Sequence, residues 1–326
     1  MSTFRVAQRA RAAGRERTLV TRAATGDPFA ELYGVPVAGG ELHVARTDIS
    51  PRDADVIVLA IHGVASSHMV WRPTVRELAD HVRACVLAPD LRGRGHSAAL
   101  PSPYGIDAHV ADLLATLDDA EVEKALLVGH SMGAYVATAV AAAHPERVSG
   151  VVLLDGGLAV PPALEEDADE LIDAMVDTAL ENARTTYASA DECADAWRER
   201  PAFADDWNDD VDAYARYDLT GEPGVMRSAV SEQAVRADVV DLVYHDAARE
   251  AVDRTSAPIS LLTASRGLHN DFALIPGLLV EVFAATHPGA YVERIPDVNH
   301  YTMLLGGGAG PSRVAAAILR FGPTRP

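Results

Sequence analysis

The chain has 326 residues, 48% of them hydrophobic, and carries 28 basic against 47 acidic residues for a net charge of −19. That is enough apolar material for one large domain or a domain with an insertion, and the acidic balance argues against nucleic acid or anionic lipid as a partner. No apolar run approaches the roughly 18 residues of a membrane span, so no stable membrane insertion is expected.

Residues 1–40 read as a basic arm, with six Arg against one Glu in the first 25 positions. The arm lacks the apolar stretch of a secretory signal, and it reads as a loosely docked segment or as one resembling an organelle-targeting sequence. Two cysteines, Cys85 and Cys193, imply no disulfide framework and suit a reducing cytoplasm. From residue 41 the chain alternates between two periodicities. ELHVART (41–47) alternates as an antiparallel strand does, whereas VIVLAI (56–61) and ACVLA (84–88) are continuous apolar runs, as strands covered on both faces are. Residues 71–82 read as a helix between them. A second helix is expected over 107–120, a strand over 125–128, a helix over 132–143 that stops before His144-Pro145, and a strand over 148–155.

Residues 156–255 break this rhythm. They hold 25 Asp and Glu against eight Arg and no Lys, with no convincing buried strand, and read as an acidic helical cap inserted between two strands. The strand PISLLTA (258–264), a helix near 272–285, the strand AYVERI (290–295) and a helix near 312–320 complete the chain. The alternation predicts an α/β fold: a mainly parallel sheet with helices on both faces and the cap as an insertion. The core is then 41–155 with 256–326.

Three motifs fall at predicted strand ends. GHSMG (129–133) places Ser131 between an apolar strand and a helix of small residues. A serine hydroxyl needs a base to become a nucleophile, and a tight strand-to-helix turn would lift it above the sheet. The Met132 N–H would then lie at a helix N-terminus, where partial positive charge favours an oxyanion. IHGVASSHMVW (61–71) follows the first buried strand, and its His-Gly turn aims a second backbone N–H, that of Val64, at the same point. IPDVNHYTML (295–304) puts His300 after the last strand, where such a serine needs its base. Asp297 reads as a turn residue.

With these motifs, and with DLRGRGHS (90–97) between them, the chain resembles the α/β-hydrolase family of serine hydrolases over roughly residues 40–320. The resemblance implies a sheet of the eight-stranded type, a nucleophile–acid–histidine triad, a cap that shapes substrate entry, and structural roles for Asp90 and Arg92. It leaves two candidates for the acid. Asp155, at the tip of the strand before the cap, is preferred. Asp271, in the loop SRGLHNDF after PISLLTA, is the alternative and also reads as a helix N-cap. His68, Trp197, Trp207 and Tyr214 are the candidate substrate-binding residues, with Tyr217 beside them.

Serine at position 131 sets the chain apart from the dehalogenases and epoxide hydrolases of this fold, which attack with aspartate. Hydrolysis of a carboxylic ester or lactone of a neutral, moderately apolar small molecule is expected, without metal or organic cofactor. Thioester or C–C bond hydrolysis, acyl transfer and perhydrolysis use the same groups. A receptor-like member that binds a small molecule without catalysis is the alternative from another class.

Overall fold

The computed structural model describes residues 10–12, 15–17, 19–22, 26–158, 168–181, 183–245 and 249–322. Nine strands form the central sheet: β1 (Leu19–Arg22), β2 (Glu31–Val37), β3 (Gly40–Arg46), β4 (Val56–Ile61), β5 (Ala84–Pro89), β6 (Ala125–His130), β7 (Val148–Leu154), β8 (Ile259–Ala264) and β9 (Tyr291–Ile295). Their order across the sheet is β9-β8-β7-β6-β4-β5-β3-β2-β1. Strands β4 to β9 pair in parallel, and β1 to β3 add an antiparallel edge. The mainly parallel sheet is as expected, with one strand more than eight.

The additional edge corrects the N-terminal boundary. Strand β2 lies within the expected arm of residues 1–40, yet pairs with β3 along its whole length, and Leu32, Tyr33 and Val35 are buried. Gly34 and Pro36, residues that usually interrupt strands, hid this pattern in ELYGVPV. Residues 1–9 of the expected arm lie outside the described residues.

The inner strands explain why continuous apolar runs were needed. All six residues of β5, β6 and β8 are buried. Successive side chains go to opposite faces: Val58, Ala60, Leu126 and Val128 join one core cluster, and Leu59, Ile61, Ala125 and Leu127 the other. Helices α1 (Arg72–Ala79), α2 (Ile106–Asp119) and α3 (Met132–Ala143) make the crossovers β4–β5, β5–β6 and β6–β7. From β4 the chain moves to β5 on one side and then returns to β6 on the other, leaving a crevice at the strand ends where ligands bind in open α/β sheets.

Between β7 and β8 lie α4 (Ala168–Leu180), α5 (Ala190–Arg198), α6 (Asp209–Tyr217), α7 (Glu232–Tyr244) and α8 (Ala251–Arg254). A short hairpin pairs Leu219–Thr220 with Arg227–Ser228. Helices α4 and α7 share a small core of their own through Ile172, Val176, Leu180, Val235, Val239 and Val243. Helix α8 packs against α3, and its buried Val252 joins the main core. After β8 come α9 (Gly277–Thr286), α10 (Thr302–Leu305) and α11 (Gly310–Leu319).

Some of the insertion's charges form pairs at or near the surface, such as Arg216 with Asp212 and Asp191, and Arg184 with Asp177 and Glu232. Such pairs each add little stability. Its junction with the core is built differently. Asp238 of α7, fully buried, lies 2.6 Å from the Arg94 guanidinium and 3.0 Å from His109 Nε2, and accepts the Gly105 N–H at 2.8 Å. Next to it, Asp241 accepts the N–H of Ile106 at the start of α2, satisfying a helix-end donor that α2 itself cannot. Arg94→Met leaves Asp238 with His109 as its remaining ionisable partner. It is expected to cost roughly 3 kcal/mol, the low end for breaking a buried pair, read as a lower urea midpoint.

Candidate active site

Ser131 sits where β6 turns into α3, with φ 55° and ψ −122°. This backbone conformation is disfavoured for a residue with a side chain, and persists only where the surroundings enforce it. The enforcement is visible. The Ser131 N–H donates to the Leu154 carbonyl at 2.9 Å, and neighbouring backbones close in on both sides. A Cβ at Gly133 would collide with the Ile61 carbonyl oxygen, and one at Gly156 with the Ser131 carbonyl oxygen. Both glycines are therefore fixed by close approach of main chains.

Met132 is the first residue of α3, so its N–H has no acceptor within that helix. The His-Gly turn after β4 lies alongside, since Ile61 and Gly129 are register partners. His62 holds this turn as a neutral ring. Its Nε2 accepts the Leu91 N–H at 2.9 Å, so the proton is on Nδ1, which donates to the Gly63 carbonyl at 2.8 Å. Burial pushes the His62 imidazole down to about 3. Arg94 braces the next residue, its Nε–H donating to the Val64 carbonyl at 2.7 Å.

His300 is buried in the turn after β9, and its Nδ1–H donates to Asp155 Oδ2 at 2.7 Å. Asp155 is wholly buried at φ 46°, and its Oδ1 accepts the Ala264 N–H at 3.1 Å. The pairing fixes the imidazole tautomer and leaves Nε2 as the basic nitrogen of the neutral ring. Asp271 occupies a different setting. It is exposed, and its carbonyl accepts the Gly267 N–H at 3.3 Å. It is also not the N-cap expected of it: the following helix begins at Gly277, with Pro276 at the cap, because the loop runs further than the apolar pattern suggested. Asp297 is an exposed turn residue at φ 59°.

Ser131, His300 and Val64 line one cavity of about 320 Å³, and the insertion supplies much of its wall, Tyr187 and Val230 included. Of the expected substrate-binding residues, Trp197 and Tyr214 line it. His68, Trp207 and Tyr217 do not, because each is engaged elsewhere. The buried Asp90 carboxylate draws in both the N–H and Nδ1 of His68, each at 2.9 Å, and the Tyr217 hydroxyl at 2.6 Å. Burial alone would raise the Asp90 carboxyl, but these donors and the His68 ring hold it well below the usual carboxylate range. Trp207 lies under the Arg198 guanidinium, 4.9 Å from the ring centre. Asp90 and Arg92 are structural as expected, Arg92 clasping Asp112 with two bonds of 2.7 Å.

Two contributions were missed in the sequence. His130, the second residue of GHSMG, donates from Nε2 to the His300 carbonyl at 2.9 Å, and the two rings lie 4.4 Å apart, tilted by 39°. Burial, with the His300 ring beside it, holds the His130 imidazole well below its ordinary value. Helix α4 supplies Ala174, Met175 and Thr178 to the cavity wall, residue types that mark no site in a sequence.

The buried imidazoles make stability pH-dependent. His62 and His130 resist protonation in the folded chain, whereas the unfolded chain takes up those protons near pH 6.5. Their contribution is full above about pH 6.5 and is lost as pH falls towards 3. Asp90 and Asp238, whose carboxyls are held low, add a loss that begins near the ordinary carboxylate range and continues below it. The urea midpoint is therefore expected to be lower at pH 5 than at pH 7.5, and an equal or higher midpoint would contradict this.

A sequence model described as the alpha/beta hydrolase fold matches residues 56–192. Together with the strand order and the turn after β6, this gives the chain the alpha/beta hydrolase fold. The chain is 35% identical over 160 residues to Lipase LipV of Mycobacterium tuberculosis, covering 49% of this chain and 57% of that one. It is 36% identical over 133 residues to 2-hydroxymuconate semialdehyde hydrolase of Pseudomonas sp. (strain CF600), covering 39% and 46%. The chain thus spans about half the length of these curated relatives. Among solved structures, the thioesterase domain from the curacin biosynthetic pathway superposes with a TM-score of 0.70 at 19% identity, covering 89% of this chain and 99% of that one, a likeness of fold. No helix among the described residues is long and apolar enough to cross a membrane.

Proposed function

We propose that the protein is a serine hydrolase that cleaves a carboxylic ester of a neutral, moderately apolar small molecule through an acyl-enzyme. The observation that carries this reading is the strained Ser131 in the same cavity as His300, whose Nδ1 is held 2.7 Å from the buried Asp155. Nε2 of His300 takes the Ser131 proton as the serine oxygen attacks the carbonyl carbon. Asp155 keeps the imidazole in the right tautomer and stabilises the imidazolium. The N–H groups of Val64 and Met132 receive the oxyanion. The alcohol leaves with the proton from His300, and a water activated by the same ring releases the acid. The insertion serves as the cap, and its charge disfavours anionic substrates.

A receptor-like role is the weaker reading, since simple binding needs neither a strained serine nor a histidine paired to a buried carboxylate. The relatives include a lipase and a 2-hydroxymuconate semialdehyde hydrolase, so a C–C bond substrate belongs in the test panel, beside the thioesters that the same groups could cleave. Purified protein is expected to turn over p-nitrophenyl butyrate faster than thioester or C–C substrates. Inactivity of folded protein across a broad ester panel would overturn the reading.

A further inference from the structure

The cavity wall is apolar over most of its extent, with one carboxylic acid among the described residues that line it, Asp218. Among the described residues, no arginine or lysine lines it. This residue follows α6 at the base of the Leu219–Thr220/Arg227–Ser228 hairpin, so its position is set by strand pairing. The Ser228 hydroxyl donates to Asp218 Oδ2 at 2.5 Å and accepts the Val230 N–H at 3.1 Å. The Asp218 carbonyl accepts the Ala229 N–H at 2.8 Å. The hairpin thus aims the carboxyl and commits the serine proton to it. Burial raises the Asp218 carboxyl above the usual range, with the nearby Asp90 charge adding to the effect. A carboxylate has acceptor sites beyond the one that Ser228 fills, and in an apolar wall it gains from a further donor.

We propose that Asp218 is the specificity-determining acceptor of this cavity, and that it receives a hydrogen bond from a hydroxyl carried by the substrate, so that hydroxylated esters are preferred to purely aliphatic ones. The inference rests on the ester-hydrolase reading and names its substrate class more closely. A site that receives a hydroxyl rejects the analogue lacking it, because binding that analogue desolvates the acceptor without replacing its partner.

The test uses the full chain and two series of esters matched in heavy atoms. In one the hydroxyl ends the acyl chain, as p-nitrophenyl esters of ω-hydroxy acids against the plain alkanoates. In the other it ends the alcohol, as diol monobutyrates against alkyl butyrates. In at least one series, wild type is expected to favour the hydroxylated member in kcat/KM by about tenfold or more, the effect of one hydrogen bond to a charged group. Asp218→Leu is expected to erase that preference by slowing the hydroxylated ester and speeding the plain one, which a merely structural role would not do. Asp218→Asn keeps the size of the side chain, supplies the test if the leucine variant does not fold, and is expected to show a reduced preference. Equal rates on both members in wild type, or a preference that survives both substitutions, would overturn the inference and leave the ester-hydrolase reading standing. Preference for an ammonium-tipped ester over the hydroxylated one would also overturn it. Inactivity on every member would overturn the ester-hydrolase reading itself.

Discussion

Ser131→Ala is expected to lower kcat for p-nitrophenyl butyrate by a factor on the order of 10⁵ to 10⁶, to a level set by oxyanion stabilisation and binding alone. No neighbouring hydroxyl shares its position. The turn places this one residue in a strained conformation, with the Leu154 carbonyl and the backbones around Gly133 and Gly156 leaving it no alternative. Alanine fits the same backbone with a smaller side chain, so the variant is expected to fold, and its urea midpoint checks that. Activity within tenfold of wild type would remove Ser131 from the mechanism.

Asp155→Asn is the second large effect. An amide at this position still meets Nδ1 at a distance near 2.7 Å, but it favours the wrong tautomer and does not stabilise an imidazolium. A loss on the order of 10⁴ in kcat is expected, with KM changed far less. Asp271→Asn, made in parallel, is expected to stay within about twofold of wild type, as substitutions at exposed sites without buried partners generally do. The reverse order would transfer the acid to the loop after β8. The comparison is informative because both residues were candidates in the sequence, and their surroundings differ so much: one wholly buried and bonded to His300 and Ala264, the other on the surface.

The fold was legible wherever burial on both faces forced a continuous apolar run. VIVLAI, ACVLA and the small-residue helix over 132–143 fall where the pattern placed them, because a parallel strand under helices leaves little freedom of composition. Strand β2 was not legible, since Gly34 and Pro36 lie where it pairs with β3 alone, beyond the residues that β1 covers. The motifs at strand ends were legible because geometry, not packing, dictates them. The fate of the aromatic and histidine candidates was decided by the partners that the fold gives them. His68 and Tyr217 are claimed by Asp90, and Trp207 by Arg198, whereas Trp197 and Tyr214 are left facing the cavity. Asp218 was equally invisible as one of 25 acids in the insertion, until the hairpin set it in the cavity wall.

Covalent labelling tests the central claim most directly. Full-length protein incubated with a fluorophosphonate, followed by intact-mass measurement and peptide mapping, is expected to show one adduct per chain on Ser131, with none in Ser131→Ala. The same label is expected to form much more slowly in Asp155→Asn, because the serine is activated through His300. An unlabelled wild-type chain that remains folded, or an adduct on a residue other than Ser131, would contradict the account.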